Sequence, residues 1–232
     1  MTELVSYELT DKVATVTINN GKANALGHEV FEGLNAAFDR AEADKAVVIL
    51  TGQPGIFSAG YDLKQMQKSP QDAAALVKVG STFARRLAAF PMPVIAACSG
   101  HAIAKGAFIL LSSDYRVGVE GSFKLGLNET AIGMTMHHAG IEIARRRLTP
   151  VHFQRSVVNA EIFSPEGAIA AGFLDEAVAP EQLMARANEL AQGFRKLNLR
   201  AFAQTKVKAN AGYLELLDRC IEDDARHLGL NA

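Results

Sequence analysis

Three short stretches of the chain carry residue types suited to moving a proton beside a developing negative charge. In the first, Gln53 to Asp62, the glycines 55 and 60 flank the small residues Ser58 and Ala59. Glycines let the backbone turn sharply, so amides at the start of a helix opening near Asp62 can converge on one point and cradle an anion or oxyanion. A strand-to-helix turn without a ligand is the plainer alternative, because glycine loops are common. The second stretch, Gly100-His101-Ala102-Ile103-Ala104-Lys105-Gly106-Ala107, also follows an apolar strand and opens an apolar helix, and alone it too fits a structural turn. It is no Walker loop, since Lys105 precedes Gly106 and no Gly-Lys-Ser/Thr follows, and the dinucleotide glycine pattern is absent. The third, Gly126-Leu127-Asn128-Glu129-Thr130-Ala131-Ile132-Gly133, sets one carboxylate among apolar and small residues. Burial would raise the pKa of Glu129 and suit it to proton transfer near neutral pH, whereas a solvated surface glutamate would do neither.

Other chemistries have less behind them. His137 and His138 are adjacent and cannot both face one metal from a regular element, and no Cys/His cluster has ligand spacing, so no metal is expected. Ser58 and Ser99 lack the flanking glycines of a nucleophile elbow, which argues against a serine hydrolase. Arg145-Arg146-Arg147 reads as a solvated helix face, with phosphate contact as the weaker option. Leu214, Leu217 and Ile221 form a stripe for helix packing or a subunit contact.

The elements that would position these loops alternate. Val13 to Asn19 has the two-residue period of a half-buried strand and pairs with Val5 to Leu9 across Thr10-Asp11-Lys12. Val30, Leu34, Phe38 and Ala41 recur at helical spacing, and Ala46 to Leu50 is an apolar run suited to a strand buried on both faces. Ser69-Pro70-Gln71-Asp72 has the hydroxyl cap, first-turn proline and early carboxylate of a helix start, predicting a helix to Ala89. Val94 to Ala97 is a second buried strand, Gly100 to Gly106 a turn, and Tyr115 to Val119 a third strand after an apolar helix. A helix around Ile141 to Arg147, another starting at Ser164-Pro165-Glu166, and a strand over Leu174 to Val178 complete the alternation. Two glycine loops in one α/β protein end on the same sheet edge, where free amides and positive helix ends meet. From Pro180 onward the pattern is helical, which divides the chain into a core over 1–179 and a helical region over 180–232.

The composition bounds the partners. The 232 residues carry 24 Lys+Arg against 25 Asp+Glu, a net charge of -1, which disfavours nucleic acid and anionic membrane surfaces. Hydrophobic residues at 49% and charged residues at 21% fit a globular protein with a sizeable core, and no apolar run is long enough to span a bilayer. Two cysteines, Cys98 and Cys220, make no disulfide framework, and Met1-Thr2-Glu3-Leu4 has no signal-peptide character, so a cytoplasmic protein is expected.

Together, Phe57-Ser58-Ala59-Gly60-Tyr61-Asp62-Leu63, Gly100 to Phe108 with Asp114-Tyr115-Arg116, and Gly126-Leu127-Asn128-Glu129 resemble, in that order, the crotonase (enoyl-CoA hydratase/isomerase) superfamily. Asn24-Ala25-Leu26 and Val48-Ile49-Leu50-Thr51-Gly52 extend the resemblance over nearly the whole chain. It implies a crotonase-like α/β spiral of repeated β-β-α units with a C-terminal helical trimerisation region, assembling as trimers or dimers of trimers. It also implies an acyl-CoA thioester substrate, coenzyme A being part of the substrate and no separate cofactor being needed. The thioester oxygen would be held by the backbone N–H groups of Tyr61 and Lys105, the latter standing where relatives usually have glycine. Ala59, Gly60, Lys64, Gly106, Phe108 and Met136 would contact substrate or coenzyme A, with Lys206 or Lys208 as further candidates for a phosphate. Met66, Phe108 and Met136 would set chain length.

Hydratases that this chain resembles use two glutamates to manage water, and the first of those positions is Phe108 here. Glu129 alone fits the isomerase branch, which shifts a 3-enoyl double bond to the 2 position with one base. The alternatives are an enoyl-CoA hydratase that recruits another group, such as His137, and a non-catalytic acyl-CoA binder.

Overall fold

The computed structural model describes residues 4–227. Strands β1 (Val5–Thr10) and β2 (Val13–Ile18) form the opening hairpin, whose two-residue turn places Asp11 and Lys12 at positive φ, 47° and 58°. That turn matches the right-handed twist of the flanking strands. Helix α1 (His28–Asp44) turns its Val30, Phe31, Leu34 and Phe38 inward and ends at Lys45 in the left-handed conformation, and β3 (Val47–Thr51) is buried throughout.

Next come β4 (Gly55–Ser58), the short α2 (Leu63–Met66) and α3 (Pro70–Ala89). The expected cap is present on α3, where the Ser69 hydroxyl accepts from the Asp72 amide at 3.0 Å. The chain continues through β5 (Val94–Cys98), β6 (Gly100–Ile103), α4 (Lys105–Ser112), β7 (Tyr115–Val119) and β8 (Leu125–Gly126). It ends with α5 (His138–Arg147), α6 (Pro150–Val157), β9 (Ile162–Phe163), α7 (Pro165–Ala171), β10 (Glu176–Val178), α8 (Leu183–Phe194) and the long α9 (Leu199–His227).

The strands make two sheets. The larger runs β1-β2-β3-β5-β7-β10 and is parallel beyond the opening hairpin. Residues alternate across it: Val48, Leu50, Val94 and Ala96 face the main core with α1, α3 and α4, while Val47, Ile49, Ile95 and Ala97 face α8 through Leu183, Ala187 and Ala191. With both faces covered, its strands read as unbroken apolar runs. In the smaller sheet, β4-β6-β8-β9, the strands β4 and β6 lie where a loop and a turn are expected, and β8 and β9 where no element is expected. Its strands of two to four residues are too short to display a period. Helix α6 also lay outside the expected elements, and α9 packs along α3 and α5, burying Leu214, Leu217 and Ile221.

Candidate active site

The two glycine loops meet. Each runs from a small-sheet strand into a helix, β4 into α2 and β6 into α4, with β4 and β6 parallel neighbours. Backbones approach closely enough that a Cβ on Gly106 would lie 2.5 Å from the Ser58 carbonyl oxygen. Gly60 has φ +104°, and a Cβ there would lie 3.0 Å from the Ala104 Cβ and 3.4 Å from the Lys105 amide nitrogen. Glycine is therefore required by conformation at 60 and by space at 106. The first loop is anchored by Asn24, whose buried side-chain amide donates to Ile18 O at 3.0 Å and Phe57 O at 2.8 Å.

Among the described residues, neither expected amide has a backbone partner. Leu26 bridges to Tyr61 by donating to Gly60 O at 2.9 Å and accepting from Asp62 N at 3.1 Å, which turns the Tyr61 N–H away from that bridge. Lys105 is the first residue of α4, so its N–H has no intrahelical acceptor and lies at the positive helix end. Ala104 just before it is held at φ 51°, ψ -119°, a conformation an L-residue rarely adopts, through a hydrogen bond from its N–H to Gly126 O at 2.9 Å. Strain of this kind concentrates at functional sites.

A cleft of about 810 Å³ opens in front of these amides. Ala59, Tyr61 and Ala104 line its head with Asn128, Glu129 and His137, Met66 and Met136 its apolar wall, and Lys22 and Lys64 its exposed part. Glu129 is 7% exposed, and its Oε2 has no hydrogen-bond partner among the described residues. Burial pushes its carboxyl up to about 7, against the pull of backbone hydrogen bonds and the Lys105 charge. The other two carboxylates lining the cleft are engaged: Asp62 accepts from Lys64 N at 2.8 Å to cap α2, and Asp224 accepts from His138 N at 2.7 Å and Ala139 N at 2.9 Å to cap α5.

The remaining candidates are distributed as follows. Gly60 and Gly106 serve the backbone approach just described. Phe108 does not line the cleft; it is fully buried behind His137, with ring centroids 5.6 Å apart near a T-shaped arrangement. An i+3 position on α4 points its ring into the core rather than at the acyl group. Lys206 is buried and donates to Asp114 at 2.7 Å, which removes it as a phosphate contact, and Lys208 is exposed away from the cleft. Arg147 is also not a solvated residue, since it donates to Leu111 O at 3.1 Å and Ser113 O at 2.8 Å.

Residues missed from sequence include Lys22, which lines the cleft as Lys64 does, and Asp224, brought 86 positions back to His138. The side chain of Lys105 was also missed: it is 0% exposed, its Nζ has no hydrogen-bond partner among the described residues, and burial brings the ammonium down to about 7 despite Glu129. His137 Nε2 is likewise buried without a partner, and burial, then the Lys105 charge, lowers that ring to about 4.

A two-sheet spiral whose neighbouring strand-to-helix loops aim free amides into one cleft, beside a buried carboxylate left unengaged among the described residues, defines a crotonase-fold protein. More particularly, the chain belongs to the enoyl-CoA hydratase/isomerase family, whose family model matches residues 8–229. An enoyl-CoA hydratase/isomerase family protein from Pseudomonas syringae is 57% identical, with 98% of this chain and 99% of that chain covered and a TM-score of 0.97. A Mycobacterium tuberculosis enoyl-CoA isomerase, also described as a probable enoyl-CoA hydratase, is 40% identical, with 97% of this chain and 99% of that chain covered and a TM-score of 0.92. A probable enoyl-CoA hydratase of Bacillus subtilis is 30% identical over 81% of this chain and 76% of its own length.

Proposed function

We propose that this family member is an isomerase that converts a 3-enoyl-CoA into the 2-enoyl-CoA. The observation that carries the reading is the single unengaged carboxylate: Glu129 keeps an unpartnered oxygen at the head of the cleft, and the position one turn into α4 is the apolar Phe108. Glu129 takes the C2 proton as the C2–H electron pair forms the dienolate, whose oxygen receives the Tyr61 and Lys105 amides. The electrons then return through C2=C3 to C4, which accepts the proton from the Glu129 carboxyl group, and the thioester carbonyl reforms. Only the enolate bears a full charge on that oxygen, so the amides act where they lower the barrier. Ala59 backbone and Lys64 are the proposed contacts of coenzyme A, with Lys22 adjacent; coenzyme A enters as part of the substrate.

The enzyme is expected to assemble as a trimer or paired trimers, a reading supported by the apolar groove of about 360 Å³ at the start of α9, lined by Leu197 just before the helix and by Ala201 and Phe202 on it. Light scattering in solution tests this. Chain length is expected to follow Met66 and Met136, and Met136→Ala should move preference toward longer acyl groups by about tenfold per added methylene in relative kcat/KM.

Incubating the protein with 3-hexenoyl-CoA in heavy water, with products identified by mass and NMR, tests the reaction. A 2-enoyl product with little 3-hydroxyacyl-CoA supports isomerisation. Mainly 3-hydroxyacyl-CoA supports the second reading, hydration, which the unpartnered His137 Nε2 at the cleft head favours as a water-holding group. Binding without turnover would leave an acyl-CoA binder.

A further inference from the structure

A lysine side chain has no obvious place where Lys105 puts it. Its backbone N–H is accounted for by the oxyanion, yet the side chain runs into the protein and ends with Nζ 5.9 Å from the Tyr61 ring centroid and 5.8 Å from that of Phe108. No hydrogen bond from the described residues satisfies it, and it is 0% exposed. Aromatic faces hold an ammonium only weakly compared with water, so a methionine of similar length would suit the same space at lower cost. A group this unfavourable for folding is explained by the charges around it.

Those charges come from three directions. The loop after β8 presents Glu129, with an unpartnered Oε2; the start of α5 presents His137, whose unpartnered ring is neutral at physiological pH, and His138; α9 presents Asp224. Tyr61 and Ser81 add only neutral groups. Asp224 is bound to two amides of α5, which leaves Glu129 as the unengaged carboxylate of this cluster among the described residues, and its charge opposes the lowering of the Lys105 ammonium by burial just as Lys105 opposes the raising of Glu129. Neither makes a hydrogen bond to the other, so each remains available to respond to a substrate.

We propose that Lys105 serves the site through its side chain as well as its amide: the buried ammonium is the counter-charge that keeps Glu129 ionised and then balances the enolate once Glu129 has taken the proton. The site charge is zero before the transfer, as Glu129 carboxylate with Lys105 ammonium, and zero after it, as neutral Glu129, ammonium and enolate. The ammonium transfers no proton in this scheme. Lys105 is in this respect a positioning residue, acting through Glu129 and through the field at the thioester oxygen, and the two residues titrate as a pair. The catalytic half of this inference rests on the isomerase reading, while the charge coupling does not.

The test therefore has a readout without turnover. Protein labelled with ¹³C at the glutamate carboxyl carbon is titrated by NMR, with the Glu129 signal assigned by its absence in Glu129→Gln. In Lys105→Met the Glu129 midpoint should rise by one pH unit or more over wild type, whereas an unchanged midpoint overturns the proposal. On 3-hexenoyl-CoA, Lys105→Met should lower kcat about thirtyfold with KM within threefold, move the acidic limb of the pH profile upward and abolish the alkaline limb. A uniform loss at all pH values, with both limbs kept, would mean a structural role only and overturns it. If the methionine variant does not fold, Lys105→Gly keeps the amide and empties the side-chain space, and propylammonium but not propanol should restore activity; rescue by neither overturns the proposal. A wild type that shows the NMR coupling yet does not isomerise would refute the isomerase reading and leave the coupling standing.

Discussion

The two ends of α4 handle buried charge in opposite ways. At its C-terminal end, Arg147 donates to the carbonyls of Leu111 and Ser113, Lys206 donates to Asp114, and Arg116 grips Asp175 with two guanidinium nitrogens while giving a third bond to Gly172 O at 2.9 Å. Asp114 in turn accepts from the Val94 amide at 2.9 Å. At the N-terminal end, Lys105 Nζ, Glu129 Oε2, Asn128 Oδ1 and His137 Nε2 are buried and none has a hydrogen-bond partner among the described residues. The first cluster fastens β5, β7, α4, α5 and α9 together, for a desolvated ion bonded on several sides is fixed in place. The second is fixed mainly by packing, and its unmet polar groups are what an acyl thioester and its enolate can satisfy.

The sharpest way to break this contrast is at Glu129. Glu129→Gln should reduce kcat by roughly a thousandfold or more, as loss of a general base does, while thioester binding persists in calorimetry. Its stability effect should have the opposite sign. The folded-state pKa of Glu129 is raised to about 7, so the carboxylate is penalised by folding, and the penalty grows above the unfolded value and is complete above about 7. Glu129→Gln should thus be more stable than wild type by about 3 kcal/mol at pH 8 and by almost nothing at pH 4, measured by denaturant unfolding.

The opposite end should respond in reverse. Arg116→Met leaves Asp175 without its cation and should cost about 3 kcal/mol of stability, with the pH profile of the surviving activity unmoved; a shifted profile would show the two regions to be one electrostatic unit. For the wild type, kcat/KM should fall about tenfold per pH unit below the Glu129 midpoint near 7, as the base is protonated. A midpoint near 4.5 would mean that the carboxylate is better solvated than its 7% exposure indicates. The smallest effect is expected at Ala104→Gly, where relief of the positive φ should raise stability by up to about 1 kcal/mol and leave kcat nearly unchanged.

Much of the larger sheet was legible in sequence because its strands are apolar on both sides and its helices carry explicit signals, such as Ser69-Pro70 before α3 and Ser164-Pro165 before α7. The smaller sheet was not, since β4, β6 and β8 each include glycine and are held by neighbours distant in the chain. The site was legible as two amide loops and one candidate carboxylate, whose roles came from resemblance. Whether Glu129 is buried was undecidable locally, because its surroundings arrive from β4, α4, α5 and α9. The Lys105 side chain escaped for a different reason: a lysine in a glycine-rich loop normally signals solvent, and only the packing of Tyr61 and Phe108 around it reverses that reading.

Helix α4 is eight residues long, about 12 Å from end to end. With one end clamped by Arg147 and the other carrying an amide that must aim at a single oxygen, it behaves as a lever with its pivot at the opposite end of the helix. A tilt of about 10° at the clamp would swing the Lys105 N–H by about 2 Å, enough to lose a directional hydrogen bond and the alignment on which a near-attack geometry depends. Accuracy at the thioester is thus partly determined at Leu111 and Ser113, residues no substrate reaches.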